Sequence, residues 1–261
     1  MKQSKLLALL LSSSILLSLS FSAYAERLQP FKAKFDVDVL GITIGTLKQS
    51  LTCQPFTQTD KKLEPSQKCT LKSIANPPKW AQRFINESSS EIIQLEQTKD
   101  SLTWQQYKKH LTRRYDDRVE KKTITLTRRD ELQKIEFVER QKFWPLQDNV
   151  FDEISIIYAI QHALNNKTDL HNFYLQGDKD QSKIKVEVKN RSASIDLPFA
   201  DYVTTTLVYF NNSKMDAKVW FINNQNYFPG RIEINNKTEK RNIVLELKET
   251  LNNPETIHEI K

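Results

Sequence analysis

Ser155, Tyr158 and His162 bring a hydroxyl, a phenol and an imidazole into one short segment, the arrangement in this sequence that comes nearest to a catalytic set. Ser155 and His162 are seven positions apart, so on a helix they share one side but stand ~10.5 Å apart along its axis. A nucleophile and its general base need to approach within ~2.6–3.2 Å. The pair therefore reads as solvated helix residues. His110, His171 and His258 are isolated, with no HxH or HExxH spacing and no close carboxylate partner, so no metal site is expected. Asp116-Asp117 reads as a turn and Asp152-Glu153 as a helix start. The four glycines, Gly41, Gly45, Gly177 and Gly230, cannot be assembled into a phosphate-cradling loop or a nucleophile elbow. No catalytic residue and no cofactor is expected, and the chain reads as a non-enzyme, with a hydrolase as the third reading behind two binding roles.

Two cysteines carry the remaining candidate chemistry. Cys53 and Cys69 are separated by fifteen polar, Pro-containing residues, which excludes a CxxC redox pair, and two cysteines alone do not build a zinc site. Their redox state depends on compartment. Lys2 and Lys5 precede an apolar, serine-diluted run over residues 6–21, and Ala23-Tyr24-Ala25 stands just before Glu26. This is the pattern of a cleaved leader over residues 1–25, with cleavage between Ala25 and Glu26. The run is shorter than the ~20 residues a membrane-spanning helix needs, and no cysteine near the cleavage point offers a lipid attachment site. An exported, periplasmic protein is expected. Its oxidising surroundings make Cys53–Cys69 a structural disulfide at the edges of two strand-like runs.

The formal net charge of +7 comes from 39 Lys and Arg against 32 Asp and Glu, and part of the excess is concentrated. Residues 108–129 hold Lys108, Lys109, Arg113, Arg114, Arg118, Lys121, Lys122, Arg128 and Arg129 against Asp116, Asp117 and Glu120. On neighbouring strands, part of this charge would share a face able to meet lipid headgroups, lipopolysaccharide phosphates or another anionic polymer. The alternative is a solvated outer surface that resists aggregation. Export argues against nucleic acid as a partner.

The elements that position these residues are legible from period-2 alternation. Phe31, Ala33, Phe35, Val37 and Val39 alternate with charged residues, as do Ile184, Val186 and Val188; Ile232 and Ile234 alternate with Arg231, Glu233 and Asn235, Ile243, Leu245 and Leu247 with Val244, Glu246 and Lys248, and Ile124 and Leu126 with threonines. Turn signals at Leu40-Gly41, Asp116-Asp117, Arg129-Asp130-Glu131 and Asn211-Asn212-Ser213 separate the runs. Roughly a dozen strands are more than a flat open sheet carries comfortably. The expected fold is mainly all-β: one large curved antiparallel sheet closing into a full or partial β-barrel, with one amphipathic helix over about residues 153–164. Asp152 is its expected N-cap, with Ile156, Ile157, Ile160, Ala163 and Leu164 on the apolar side and Ser155 and His162 on the other. Residues 76–90 read as a loop with a helical turn near 80–85. One domain over residues 26–251 and a polar tail over 252–261 complete the organisation, and the longest apolar run after the leader, residues 154–160, is too short for an integral membrane protein. The 13 Phe, 8 Tyr and 4 Trp fit either a packed core or an apolar cavity for a lipid-like ligand.

Three motifs together resemble one family. Pro30-Phe31 with Ala33, Phe35, Val37, Gly41 and Gly45 resembles the opening hairpin of domain of unknown function 3108, a family of exported proteobacterial proteins. Asp152, Ser155 and Tyr158-Ala159 resemble its central helix, and Val219-Trp220 with Phe228-Pro229 and Arg231-Ile232-Glu233 its late strand pair. Gly230 departs from the family's more usual apolar residue, and the Cys53–Cys69 loop is an elaboration. The resemblance implies a curved antiparallel sheet of the kind used by periplasmic lipoprotein carriers and transfers no activity. The resulting expectation is a periplasmic, non-enzymatic binding protein holding a hydrophobic or amphiphilic envelope ligand inside a curled sheet. The alternative is an envelope interaction module docking residues 108–129 on an anionic polymer, lipid surface or protein partner.

Overall fold

A computed structural model describes residues 27–54, 66–77, 87–98, 100–238 and 240–249. The leader with its Ala25–Glu26 junction, the 80–85 turn, His258 and the 252–261 tail lie outside the described residues. The strands are β1 (Phe31–Val39), β2 (Ile42–Cys53), β3 (Gln67–Asn76), β4 (Glu87–Gln97), β5 (Leu102–Arg114), β6 (Val119–Arg129), β7 (Lys134–Phe137), β8 (Lys142–Pro145), β9 (Asn149–Phe151), β10 (Phe173–Gln176), β11 (Gln181–Lys183), β12 (Lys185–Leu197), β13 (Ala200–Asn211), β14 (Met215–Ile222), β15 (Phe228–Asn236) and β16 (Arg241–Leu247), with helix α1 (Ser155–Asn166) between β9 and β10. Thirteen strands form one antiparallel sheet in the order β12-β13-β14-β15-β16-β1-β2-β3-β4-β5-β6-β7-β8, and β11-β10-β9 form a small second sheet. β8 and β12 do not pair, so the barrel is partial.

Alternation decides the two faces. Phe31, Ala33 and Phe35 of β1 are buried and Lys32 between them is exposed, and Ile124 and Leu126 of β6 point inward in the same way. The 76–90 loop is corrected: Ser88-Ser89-Ser90 belong to β4, because Ser89 pairs with Ala75 on one side and Leu111 on the other. Ladder pairing outweighs the turn-like composition of serine. Gly230 has a packing reason. A Cβ there would lie 3.0 Å from Ile222 Cγ1 and 3.3 Å from Leu197 Cδ1.

The helix is also corrected. It starts at Ser155, two residues later than its pattern suggests, because Asp152 first builds a turn. The Asp152 carboxylate accepts the Ile154 and Ser155 N–H groups, and its carbonyl accepts that of Ile156. Residues 155–164 are all buried inside the concave sheet, so Ser155 and His162 are not on a wet side. Lys167, left-handed at φ 53°, ends the helix, with Lys167 N–H on Leu164 O and Thr168 N–H on Ala163 O.

Cys53 and Cys69 are opposed in the β2–β3 ladder, with Cα atoms 4.0 Å apart and sulfurs 2.04 Å apart. Beside them the buried Gln97 amide clamps the N-terminal segment, accepting from Leu28 N–H at 3.1 Å and donating to Leu28 O at 3.2 Å. Purified protein should gain the mass of two hydrogen atoms on reduction, as the disulfide becomes two thiols, read by intact mass. The Cys53→Ser/Cys69→Ser double variant should lose about 3 kcal/mol in urea denaturation, the loop-closure contribution for this loop size.

Candidate functional site

The inner wall of the sheet divides into three zones along the strands. At the helix end the interior is packed. Phe31 stacks on Tyr158 at 5.2 Å and meets Phe228 edge-on at 4.9 Å between ring centroids. Trp104 Nε1–H and Ser155 Oγ–H both donate to Asp152 Oδ2, at 2.9 and 2.5 Å. Burial raises the Asp152 carboxyl pKa, and these donors pull against that rise. The aromatic residues are therefore largely core here, with a smaller groove of about 360 Å³ beside them, lined by Leu28, Phe31, Gln161 and Phe228 among others.

The candidate catalytic set does not assemble. The Ser155 hydroxyl is fully buried and committed to Asp152, while His162 Nε2 lies 3.0 Å from Asn166 Nδ2. Tyr158 donates to Gln49 Oε1 at 2.5 Å, and burial pushes its phenol up. Burial lowers the His162 pKa to about 4, leaving a neutral ring at pH 7. His110 meets Thr123, and His171 lies 3.7 Å from Asp169, a neighbour the sequence spacing had not been taken to supply. Among the described residues no group of three or more His, Cys, Asp or Glu side chains is placed to hold a metal.

The middle zone is a polar layer. Glu91 accepts from Tyr107 Oη at 2.9 Å and Ser89 Oγ at 3.4 Å, and pairs with Lys109 Nζ at 3.3 Å. Burial first, and then the Glu91 charge, pushes the Tyr107 phenol up.

The third zone, at the end away from α1, is open. The ends of β1, β2, β3, β4 and β16 enclose a groove of about 640 Å³. Val37, Val39, Ile42, Ile44, Ala75 and Ile243 belong to its aliphatic lining, with Glu87, Ser89, Thr46, Asn76 and Arg241 as its polar members. Ile44 is free to turn into it because the β1–β2 register shifts there: Val37 pairs with Gly45 but Asp38 with Thr43. Leu40 and Ile42 stand at its rim, 78% and 61% exposed. Val37, Val39 and Ile243 belong to the alternating runs and Leu40-Gly41 to a turn signal, and nothing in that pattern distinguishes a groove wall from core.

The basic stretch is split by the same alternation. Lys109↔Ile124, Leu111↔Lys122 and Arg113↔Glu120 share the inner face. There Lys109 pairs with Glu91, Arg113 with Glu87 at 2.8 Å, and Lys122 with Asp178 at 3.8 Å. Lys108, Arg114 and Lys121 project from the outer face, at the pairs Lys108↔Thr125, Arg114↔Val119 and Thr112↔Lys121. Arg118 sits in the turn against Asp117 and over the Tyr115 ring, and Arg128 and Arg129 pair with Asp130 and Glu136. The stretch is not one basic face, and much of its charge is neutralised locally.

No family model matches the chain, so the likeness to domain of unknown function 3108 rests on the three motifs alone. No curated protein matches it either. Among solved structures, the chain is similar to the crystal structure of a beta-barrel-like protein of domain of unknown function DUF1849 from Brucella abortus. That pair is 9% identical, with 87% of this chain and 98% of that chain covered and a TM-score of 0.44. Among the described residues no helix is long and apolar enough to cross a membrane.

The buried neutral His162 sets a pH dependence of stability. Its pKa falls from 6.5 in the unfolded chain to about 4 in the fold, so between these values the unfolded chain binds more protons. Stability should fall as pH drops through this window. Asp152, raised by burial, acts in the opposite sense, so the comparison of variants isolates the histidine. In urea denaturation across this range, His162→Gln should show a flatter fall than the parent. An unchanged slope would mean that His162 is not held neutral.

Proposed function

We propose that this is a non-enzymatic periplasmic binding protein that takes the apolar tail of an amphiphilic envelope molecule into the open-end groove. The observation that carries this reading is the aliphatic lining of a cavity of about 640 Å³ with apolar side chains at its mouth. The volume lies within the ~300–1,000 Å³ typical of small-molecule sites. Each methylene removed from water contributes about 0.8 kcal/mol. The tail of a dodecanoate would then offset a large part of the ~4–15 kcal/mol that association costs. The site is the end groove, not the aromatic interior. A binding role is favoured over catalysis because these interior hydroxyls are committed to other interior groups: Ser155 to the Asp152 carboxylate, Tyr158 to the Gln49 side-chain amide, and Tyr107 to the Glu91 carboxylate. Periplasmic residence is supported by the leader pattern and by the cysteine geometry.

Native mass spectrometry of protein purified from cells should show an added mass that organic solvent extracts, and dodecanoate should bind the stripped protein. Ala75 lies on the groove wall between Leu47 and Ser89 in the ladders. Ala75→Trp should fill the groove and weaken dodecanoate binding at least about tenfold, a loss of ~1.4 kcal/mol. Parent-like affinity in Ala75→Trp would place any ligand elsewhere and end this reading.

A further inference from the structure

The strand registers bring the groove mouth and the basic hairpin tip to the same end of the barrel. Val39 pairs with Ile42, Arg114 with Val119, and Asn236 with Arg241, each pair being the last before its turn. The rungs Ala75↔Ser89 and Glu87↔Arg113 carry this alignment across the sheet from the groove to the β5–β6 tip. This end therefore presents Leu40 and Ile42 at the rim, exposed Tyr115 and Val119 at the next tip, and the exposed cations Arg114, Arg118, Lys121 and Lys240, which outnumber the tip carboxylates Asp116, Asp117 and Glu120, with Asp117 paired to Arg118. Leu40 is held in a left-handed turn with Gly41, at φ 53° and 80°, with its side chain in solvent.

An exposed apolar rim beside cations has poor complementarity to water and good complementarity to one kind of partner. At a bilayer surface, leucine and isoleucine enter the boundary between headgroups and acyl chains, and lysine and arginine meet the phosphates. We infer that this end is a membrane-docking face that seats Leu40 and Ile42 below the headgroups of an anionic phospholipid bilayer. The inference rests on the groove as an amphiphile site and adds where the ligand comes from. Docked this way, the mouth opens onto the acyl layer, and a tail enters without crossing water.

The test is flotation of the full protein with phosphatidylglycerol-containing vesicles and with pure phosphatidylcholine vesicles. The parent should float with the first, and added salt should weaken the association because exposed charges are screened. Leu40→Asp should reduce flotation at least about tenfold, and Arg114→Gln and Lys121→Gln about fivefold each. Ala75→Trp should float like the parent while losing dodecanoate, which separates docking from groove occupancy. A parent that binds dodecanoate but does not float overturns docking and leaves the groove reading standing. So does a Leu40→Asp variant that floats like the parent.

Discussion

A carboxylate without a cation holds the barrel to its helix. Asp152 is buried, and its two oxygens accept from Trp104 Nε1, Ser155 Oγ and the backbone N–H groups of Ile154 and Ser155. Burying a carboxylate costs several kcal/mol, and hydrogen bonds to a charged group contribute about 1.5–3 kcal/mol each. Four such donors are enough to offset that cost. The same residue joins β5, the end of β9 and the first turn of α1, so the helix enters the concave side of the sheet at one depth and one angle.

The asymmetry of the two ends follows from that anchor. With α1 seated, Phe31, Tyr158 and Phe228 close one end as dense core. The helix spans only Ser155–Asn166, while β1 and β2 run on past it. Beyond its reach the inner wall first turns polar, at Glu91, Tyr107 and Lys109, and then aliphatic, with none of the described residues packed over the stretch from Val37 to Ile243. The polar layer separates core from groove, because its groups are bonded to one another.

What the sequence reveals and what it hides divide along physical lines. Long strands with one wet face announce themselves, and β1 and β6 are of this kind. Strands of three or four residues, such as β7 and β9, are too short to display a period. Ser155 and His162 misled because polarity normally marks the solvent side of a helix. Here each polar group finds a partner within four positions, Asp152 for one and Asn166 for the other, so burial is tolerated. Charge content likewise says nothing about facing. The cations of residues 108–129 alternate between the two sides of the sheet, and only the pairing of Arg113 with Glu120 and Leu111 with Lys122 sorts them. The cysteines were legible because opposed positions of adjacent strands have the right separation. The groove was not, since its residues have the same pattern as core and differ only in that no described residue packs above them.

Where the barrel stays unclosed also bears on how a groove could work. Between β8 and β12 no ladder runs. Instead the small sheet bridges the gap through side chains: Lys142 Nζ donates to Lys179 O, Gln181 Nε2 to Pro145 O, and Asn212 Nδ2 to Ser182 Oγ, with Lys214 paired to Asp180. Chain continuity from β11 through Ile184 into β12, and the buried Phe173 and Leu175 of β10, close the gap further. The groove lies on the far side of the sheet order, walled by β16, β1, β2, β3 and β4, each hydrogen-bonded to a neighbour on both edges. A ligand would meet a preformed aliphatic slot, and the ordering cost of binding would fall on the ligand tail and the Leu40-Gly41 turn rather than on the sheet.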